Sequence, residues 1–321
     1  MIKVDNLSKH FGKLKAVNGI SFEVREGETM ILLGTSGCGK TTTLKMINRL
    51  IEPTSGNIYI DGKNIYDQPP EILRRGIGYV LQNNGLFPHY TVAENIAVVP
   101  QLLNWDKAKT QHRTHELLEK LHLSVEYLNA YPNELSGGQQ QRVGLARALV
   151  ADAPVLLMDE PFGALDNVTK AKIHTEFKGL DELKKKTIIM VTHDVQEAFE
   201  LGDRICMMDK GIIVQQGTPA QLLFNPANNF VKEFLKEQRL QLEFKTIKLA
   251  DLWELFPSDV PKTNPSLLSA GEGLWAALET FKFSQTENLN IVNQQSKQIK
   301  TVGFEQLMSA FYQFKQQQSH E

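Results

Sequence analysis

Gly34, Thr35, Ser36, Gly37, Cys38, Gly39, Lys40 and Thr41 follow one another in the pattern G-x-x-x-x-G-K-[ST]. Glycines let successive backbone N–H groups turn toward one anion. The N-terminus of a following helix adds a partial positive charge. In such a loop Lys40 reaches the β- and γ-phosphates of a nucleoside triphosphate, the Thr41 hydroxyl ligates Mg²⁺, and Thr42 opens the helix. The alternative, a glycine-rich turn with an exposed lysine, does not explain the apolar run 30–33 before it or the helical stretch 42–49 after it. Strand, glycine loop and helix together imply a triphosphate site.

Four further side chains stand where such a site needs chemistry. Asp159 ends the apolar run 155–158, so its carboxylate can hold Mg²⁺ through the metal's water shell. Glu160, next in line, is placed to polarise an attacking water as general base. Gln82 follows the apolar stretch 77–81 and His193 the stretch 187–191. Strand ends in parallel α/β sheets face the ligand crevice. There Gln82 can sense Mg²⁺ or the water, and His193 can contact the γ-phosphate. A second anion site lies at Ser136, Gly137, Gly138 and Gln139, in Leu-Ser-Gly-Gly-Gln ahead of a helix. One nucleotide does not need two such sites in one chain. Two chains arranged head to tail would place each ATP between one phosphate loop and the other chain's Ser136.

These residues must be positioned by strands alternating with helices, which implies an α/β fold with a parallel core. Short strands are expected at 2–7, 20–25, 57–60, 204–208 and 211–216. The stretch 91–150 reads as a helical insertion, opened by Thr91 and Glu94 as a capping box. A helix is expected over 167–185, with Lys184, Lys185 and Lys186 at its C-terminus, where cations suit the dipole. Phe11 is either a core aromatic or a platform for a nucleotide base. Leu86 and Phe87 are either loop anchors or an apolar partner site. His112 and His115 sit among Glu116, Glu119 and Lys120, so a solvated face is favoured over a metal site. Cys38, next to a helix N-terminus, is expected to have a lowered thiol pKa and to react with alkylating agents more slowly when nucleotide is bound.

The bulk properties narrow the classes. The chain has 321 residues and a net charge of −2, so a general attraction to nucleic acid is not indicated. No apolar run approaches the roughly 20 residues that span a bilayer. The first residues lack an apolar signal region. Two cysteines, Cys38 and Cys206, suggest no disulfide framework and a reducing, cytoplasmic compartment.

Residues 34–41, Gln82, 135–139, 155–160, Ala164-Leu165-Asp166 and His193 together resemble the nucleotide-binding subunit of ATP-binding cassette transporters, over about residues 2–240. The resemblance implies a P-loop cassette fold, a mixed core sheet with a helical subdomain at 91–150, and ATP with Mg²⁺. It makes Phe11 the aromatic that stacks on adenine and Asp166 a residue of the loop facing the partner subunit. The loop 82–88 becomes the surface that grips integral membrane permease subunits. Implied partners are a second copy of the chain, the permease and a solute-binding protein, at the cytoplasmic face of the membrane. Residues 85–89 and 91–101 look like the importers of quaternary amines such as glycine betaine, choline or proline.

Residues 241–315 are weakly similar to a single CBS motif of α+β type, with a helix near 274–281, strands at 289–292 and 299–302, and a closing helix at 304–314. One copy must pair across a dimer. The stretch Gly303-Phe304-Glu305-Gln306 replaces the usual nucleotide-contacting pattern, which favours dimerisation over ligand sensing. Residues 316–321 are expected to be a disordered end. Two rivals remain: a cassette ATPase acting on DNA or ribosomes, and one serving an exporter or another solute. The first usually carries long coiled coils or two cassettes, and this chain has neither. The ATPase core cannot separate the second.

Overall fold

The computed structural model describes residues 1–82, 85–163, 165–257, 266–294 and 296–318. Two compact units divide between Gln216 and Gly217, earlier than the expected boundary near 240.

In the first unit the chain runs β1 (Ile2–Phe11), β2 (Leu14–Val24), β3 (Thr29–Gly34), α1 (Lys40–Ile47), β4 (Ser55–Ile60), β5 (Lys63–Asn64), α2 (Pro70–Arg75) and β6 (Ile77–Val80). Then follow α3 (Val92–Leu102), α4 (Lys107–Lys120), α5 (Gly137–Leu149), β7 (Val155–Asp159), α6 (Asn167–Gly179), β8 (Thr187–Thr192), α7 (Val195–Leu201), β9 (Arg204–Asp209) and β10 (Ile212–Gly217). Six strands make one sheet in the order β10-β9-β3-β8-β7-β6. Its pairs β9–β3, β3–β8, β8–β7 and β7–β6 are parallel. β7 and β8 are buried along their whole length, which is why they read as unbroken apolar runs.

The first two strands do not join that sheet. They form a second, antiparallel one in the order β2-β1-β4-β5, and they are longer than expected, with bulges in the β1–β2 register. Leu44, Met46 and Ile47 of α1 share one buried cluster with Ile2, Leu7 and Phe22 of the antiparallel sheet and with Leu32 and Leu157 of the parallel one. Each such side chain contributes about 1.5–3 kcal/mol by leaving water. The phosphate-loop helix is thus fixed by both sheets.

The expected helical stretch contains α3, α4 and α5. Thr91, Asp106 and Ser136 cap them. The helix expected over 167–185 stops at Gly179. Residues 180–186 continue as turns, with Leu183 N–H donating to Leu180 O and Lys186 N–H to Leu183 O. The lysines therefore do not cap it. Lys186 is buried instead and donates to Asp152 at 2.7 Å and to the Ala153 carbonyl at 2.8 Å.

The second unit contains α8 (Pro219–Phe224), α9 (Asn229–Leu235), α10 (Arg239–Thr246), β11 (Ser266–Ser269), α11 (Leu274–Ser284), β12 (Asn288–Asn293), β13 (Gln298–Gly303) and α12 (Phe304–Gln318). β11 pairs parallel and β13 antiparallel to the central β12. Leu274, Leu289, Ile291, Val302 and Phe311 form its core with Trp253. Glu243 is fully buried, held by Arg239 at 2.9 Å and Lys315 at 2.7 Å. Gln316, Gln317 and Gln318 extend α12 and are not the disordered end that their composition suggests, while residues 319–321 lie outside the described part.

Candidate functional site

The loop 34–41 joins β3 to α1. Gly39 is the α1 N-cap with φ 107°, and no side chain caps the helix. A Cβ there would collide with the Ala16 carbonyl, so backbone conformation and space both require glycine. The N–H groups of this helix end are left for an outside acceptor. Lys40 is buried and lies across the loop, donating to the Gly34 carbonyl at 2.8 Å and the Thr35 carbonyl at 2.9 Å.

Thr41 Oγ1 donates to Asp159 Oδ1 at 2.8 Å. Both are hard oxygen donors of the kind Mg²⁺ takes. Burial pushes the Asp159 carboxyl above its usual range; the Thr41 hydroxyl, Lys45 and Lys40 act against the rise and Glu160 adds to it.

Glu160 follows directly, with φ 45°. Its N–H donates to Val191 O at 3.0 Å, and its carbonyl accepts from Gly163 N–H at 3.2 Å. A non-glycine residue in the left-handed region is uncommon and concentrates at functional turns. Its carboxylate is met from both neighbouring strands. Gln82 Nε2 donates to Glu160 Oε2 at 3.4 Å, and His193 Nδ1 lies 3.2 Å from the same oxygen. Because β6, β7 and β8 are adjacent and parallel, their C-terminal ends bring Gln82, Glu160 and His193 together. Gln82 contacts Glu160 and not the Thr41–Asp159 pair to which the sequence also assigned it. Such a carboxylate, held from two sides, can orient and deprotonate a water.

Phe11 ends β1 and is 51% exposed, with Lys9 Nζ 5.1 Å from its ring centre. An exposed ring at a turn is available for stacking. Cys38 departs from expectation. It is buried, and burial raises its thiol pKa although Lys40 acts to lower it. Protonated and enclosed, Cys38 is not the reactive thiol its place before a helix suggests. Thr35, Ser36, Gly37 and Thr42 are carried by the same loop and helix.

Ser136 caps α5 in a closed box. Its hydroxyl accepts from Gln139 N–H, and Gln139 Oε1 accepts from Ser136 N–H at 2.8 Å. Ser136 and Gly137 are exposed. Asp166 caps the first turn of α6, accepting from Thr169 N–H at 3.0 Å, while Ala164 lies outside the described residues.

Sequence reasoning missed two anchoring residues. Asn95, fully buried, bonds the backbone of Phe87, Tyr90 and Thr91 and so shapes the loop before α3. Arg147 on α5 donates to the Gly85 carbonyl at 2.9 Å. Nothing in the periodicity marks either. Beside them an open groove of about 440 Å³ is lined by Arg74, Tyr79, Leu81, Phe87, Val99 and Leu102. Among the described residues, no helix is long and apolar enough to cross a membrane.

Residues 17–163 match the protein-family model described as ABC transporter. The chain is 48% identical, over 92% of its length and 76% of the relative's, to the glycine betaine/carnitine/choline transport ATP-binding protein OpuCA of Bacillus subtilis. It is 44% identical, over 96% of its length and 99% of the relative's, to the glycine betaine uptake system ATP-binding protein YehX of Escherichia coli. It is similar to the dimeric ATP-binding cassette MJ0796 in a post-hydrolysis state bound to ADP and Pi. The TM-score is 0.61 at 35% identity, covering 68% of this chain and 98% of that one.

Proposed function

The chain belongs to the ATP-binding subunits of ABC transporters, and from that premise we propose that it energises uptake of an osmoprotectant of the glycine betaine, choline and carnitine kind. The observation that carries the catalytic part is the convergence of Gln82 and His193 on Glu160, beside the Thr41–Asp159 pair.

In this reading the loop 34–41 wraps the phosphates of ATP, Lys40 neutralises the β- and γ-phosphates, and Phe11 stacks on the adenine. Thr41 and Asp159 would hold Mg²⁺, which would supply charge neutralisation at the β- and γ-phosphate oxygens. Glu160 takes a proton from the attacking water. Gln82 and His193 fix its carboxylate, and His193 keeps Nε2 for the γ-phosphate. The other wall of each site comes from Ser136, Gly137, Gly138, Gln139 and Asp166 of a second copy, arranged head to tail. The similar cassette MJ0796 is itself a dimer, which supports a second copy as partner.

The groove beside the loop 85–88 receives the cytoplasmic side of the permease, and a solute-binding protein delivers the substrate outside. The C-terminal unit acts as a CBS-like dimerisation module. Glu160→Gln tests the core of the proposal: it should bind ATP, form an ATP-dependent dimer on gel filtration and cease turnover. Near-wild-type hydrolysis in that variant would defeat the mechanism. ATP-driven uptake into vesicles holding the cognate permease, screened over quaternary amines and amino acids, tests the solute class.

A further inference from the structure

One helical turn past Asp166 and one turn past His193, α6 and α7 are joined by a cluster of charges. Lys170 donates to Asp194 Oδ2 at 2.6 Å and lies 3.4 Å from Glu197 Oε1. His174, one turn further along α6, sets Nε2 3.3 Å from Glu197 Oε1 and Nδ1 3.2 Å from Glu200 Oε2. Glu197 and His174 are buried, and Lys170, Asp194 and Glu200 are half-buried. A neutral imidazole has one donor and one acceptor nitrogen. Two carboxylates facing both nitrogens therefore select the imidazolium. Lys170 and His174 then set two positive charges against the three carboxylates Asp194, Glu197 and Glu200, and the buried Glu197 takes a contact from each cation.

Both ends of the cluster are fastened to turns of the proposed catalytic site. On the α6 side, the Asp166 carbonyl accepts from Lys170 N–H at 2.9 Å. On the α7 side, Asp194 follows His193 directly. It spends Oδ1 on the N–H groups of Gln196 and Glu197, at 2.9 and 3.2 Å, and Oδ2 on Lys170. Phe162, two residues past Glu160 and buried, packs edge-on against His174, with ring centres 5.0 Å apart. The segment after Glu160, the first turns of α6 and the turn bearing His193 are therefore one connected body.

We propose that Lys170 and His174 are positioning residues for hydrolysis: they clamp the turn that carries His193 to the segment that follows Glu160, and so hold the imidazole within reach of the Glu160 carboxylate. The proposal rests on the catalytic reading of Glu160 and His193. Neither Lys170 nor His174 touches the reacting atoms. They act on the geometry of the groups that do, and a displacement of about 1 Å at such groups costs up to about a hundredfold in rate.

Steady-state ATP hydrolysis by the full chain tests this. Lys170→Met keeps the alkyl stem and removes the charge. The expected result is a kcat lower by about tenfold or more with KM for ATP within about twofold. Lys170→Arg, which can bond both Asp194 and Glu197, should restore most of the loss. His174→Gln should give a smaller loss of the same pattern. If thermal melting shows Lys170→Met unfolded, Lys170→Gln and His174→Gln carry the same comparison. A folded charge-removing variant with kcat within about twofold of wild type, or a loss that Arg does not rescue, overturns the clamp. Glu160→Gln assayed alongside separates the two levels. If it turns over normally, the catalytic reading itself fails. If it is inactive while Lys170→Met is unaffected, only the clamp fails.

Discussion

Two helix N-termini in this chain carry anion-binding sequence patterns, and they are built in opposite ways. At α1 the cap is a left-handed glycine with no side-chain acceptor, enclosed by the core, with a buried lysine laid over the loop. At α5 the cap is an exposed serine whose box already satisfies Gln139 N–H. The first end holds free N–H groups in a shape fixed by both sheets, so it can bind phosphate by itself. The second is closed on its own side chains and offers a hydroxyl and two glycines outward. It suits a contact that forms late, with a ligand brought by another chain.

The largest effect should come from the first end. Lys40→Ala is expected to lower ATP hydrolysis by about 10²–10³-fold, measured as phosphate release, because a preorganised charge at the transferring group is lost. Mixing Lys40→Ala chains with Ser136→Arg chains sharpens the comparison. Each variant alone should be inactive. A mixed dimer keeps one phosphate loop and one facing Ser136 intact, so turnover should return. Failure to recover it would mean that the two helix ends do not share a nucleotide across chains.

Glycine substitutions should divide the same way. Gly39→Ala forces alanine into a left-handed conformation, costing about 1–2 kcal/mol before its collision with the Ala16 carbonyl is added. Its melting temperature should fall. Gly137→Ala meets nothing nearer than Leu165 at 3.9 Å, so its melting temperature should hold or rise. Equal falls in both would erase the distinction. Ser136→Ala should lower stability by about 1 kcal/mol through loss of the cap, read by denaturant unfolding.

The smallest effect is a proton dependence confined to the region behind Asp166 and His193. Burial acts to lower the His174 pKa, but hydrogen bonds to Glu197 and Glu200 and their charges outweigh it, and the net direction is upward. A folded-state pKa above the unfolded value of about 6.5 gives stability that is complete below that pH and lost as pH rises through the folded value. Wild-type stability should therefore decline more than that of His174→Gln as pH rises above about 6.5. Parallel pH profiles would show that the imidazolium is not what holds α6 to α7.

Much of the candidate site was legible because its parts are local. The residues 34–41 need only their own order to mark a phosphate loop, and the runs ending at Asp159 and before His193 mark strand ends. The box at Thr91 is visible for the same reason, since a cap bonds within three residues, whereas the one at Ser136 reads in the sequence only as an anion site. The C-terminal helix–strand–strand–helix order was readable too, but the short β11 was not, since its Ser266-Leu267-Leu268-Ser269 holds only two apolar residues. The overrun of α6 past Gly179 came from reading charge pattern as helix, where burial of Lys186 beside Asp152 decided otherwise.

By itself, the sequence determined which residues can bind phosphate, hold a metal and move a proton, because those abilities belong to side-chain types at fixed short spacings. The tertiary structure decided what those residues face. Gln82 meets Glu160 across 78 positions of sequence because their strands lie side by side. Cys38 is quiet because the core encloses it. Lys170, His174 and Glu197 become one cluster only when two helices pack. Burial and long-range pairing set the charge state and orientation of each group, and neither is encoded at any single position.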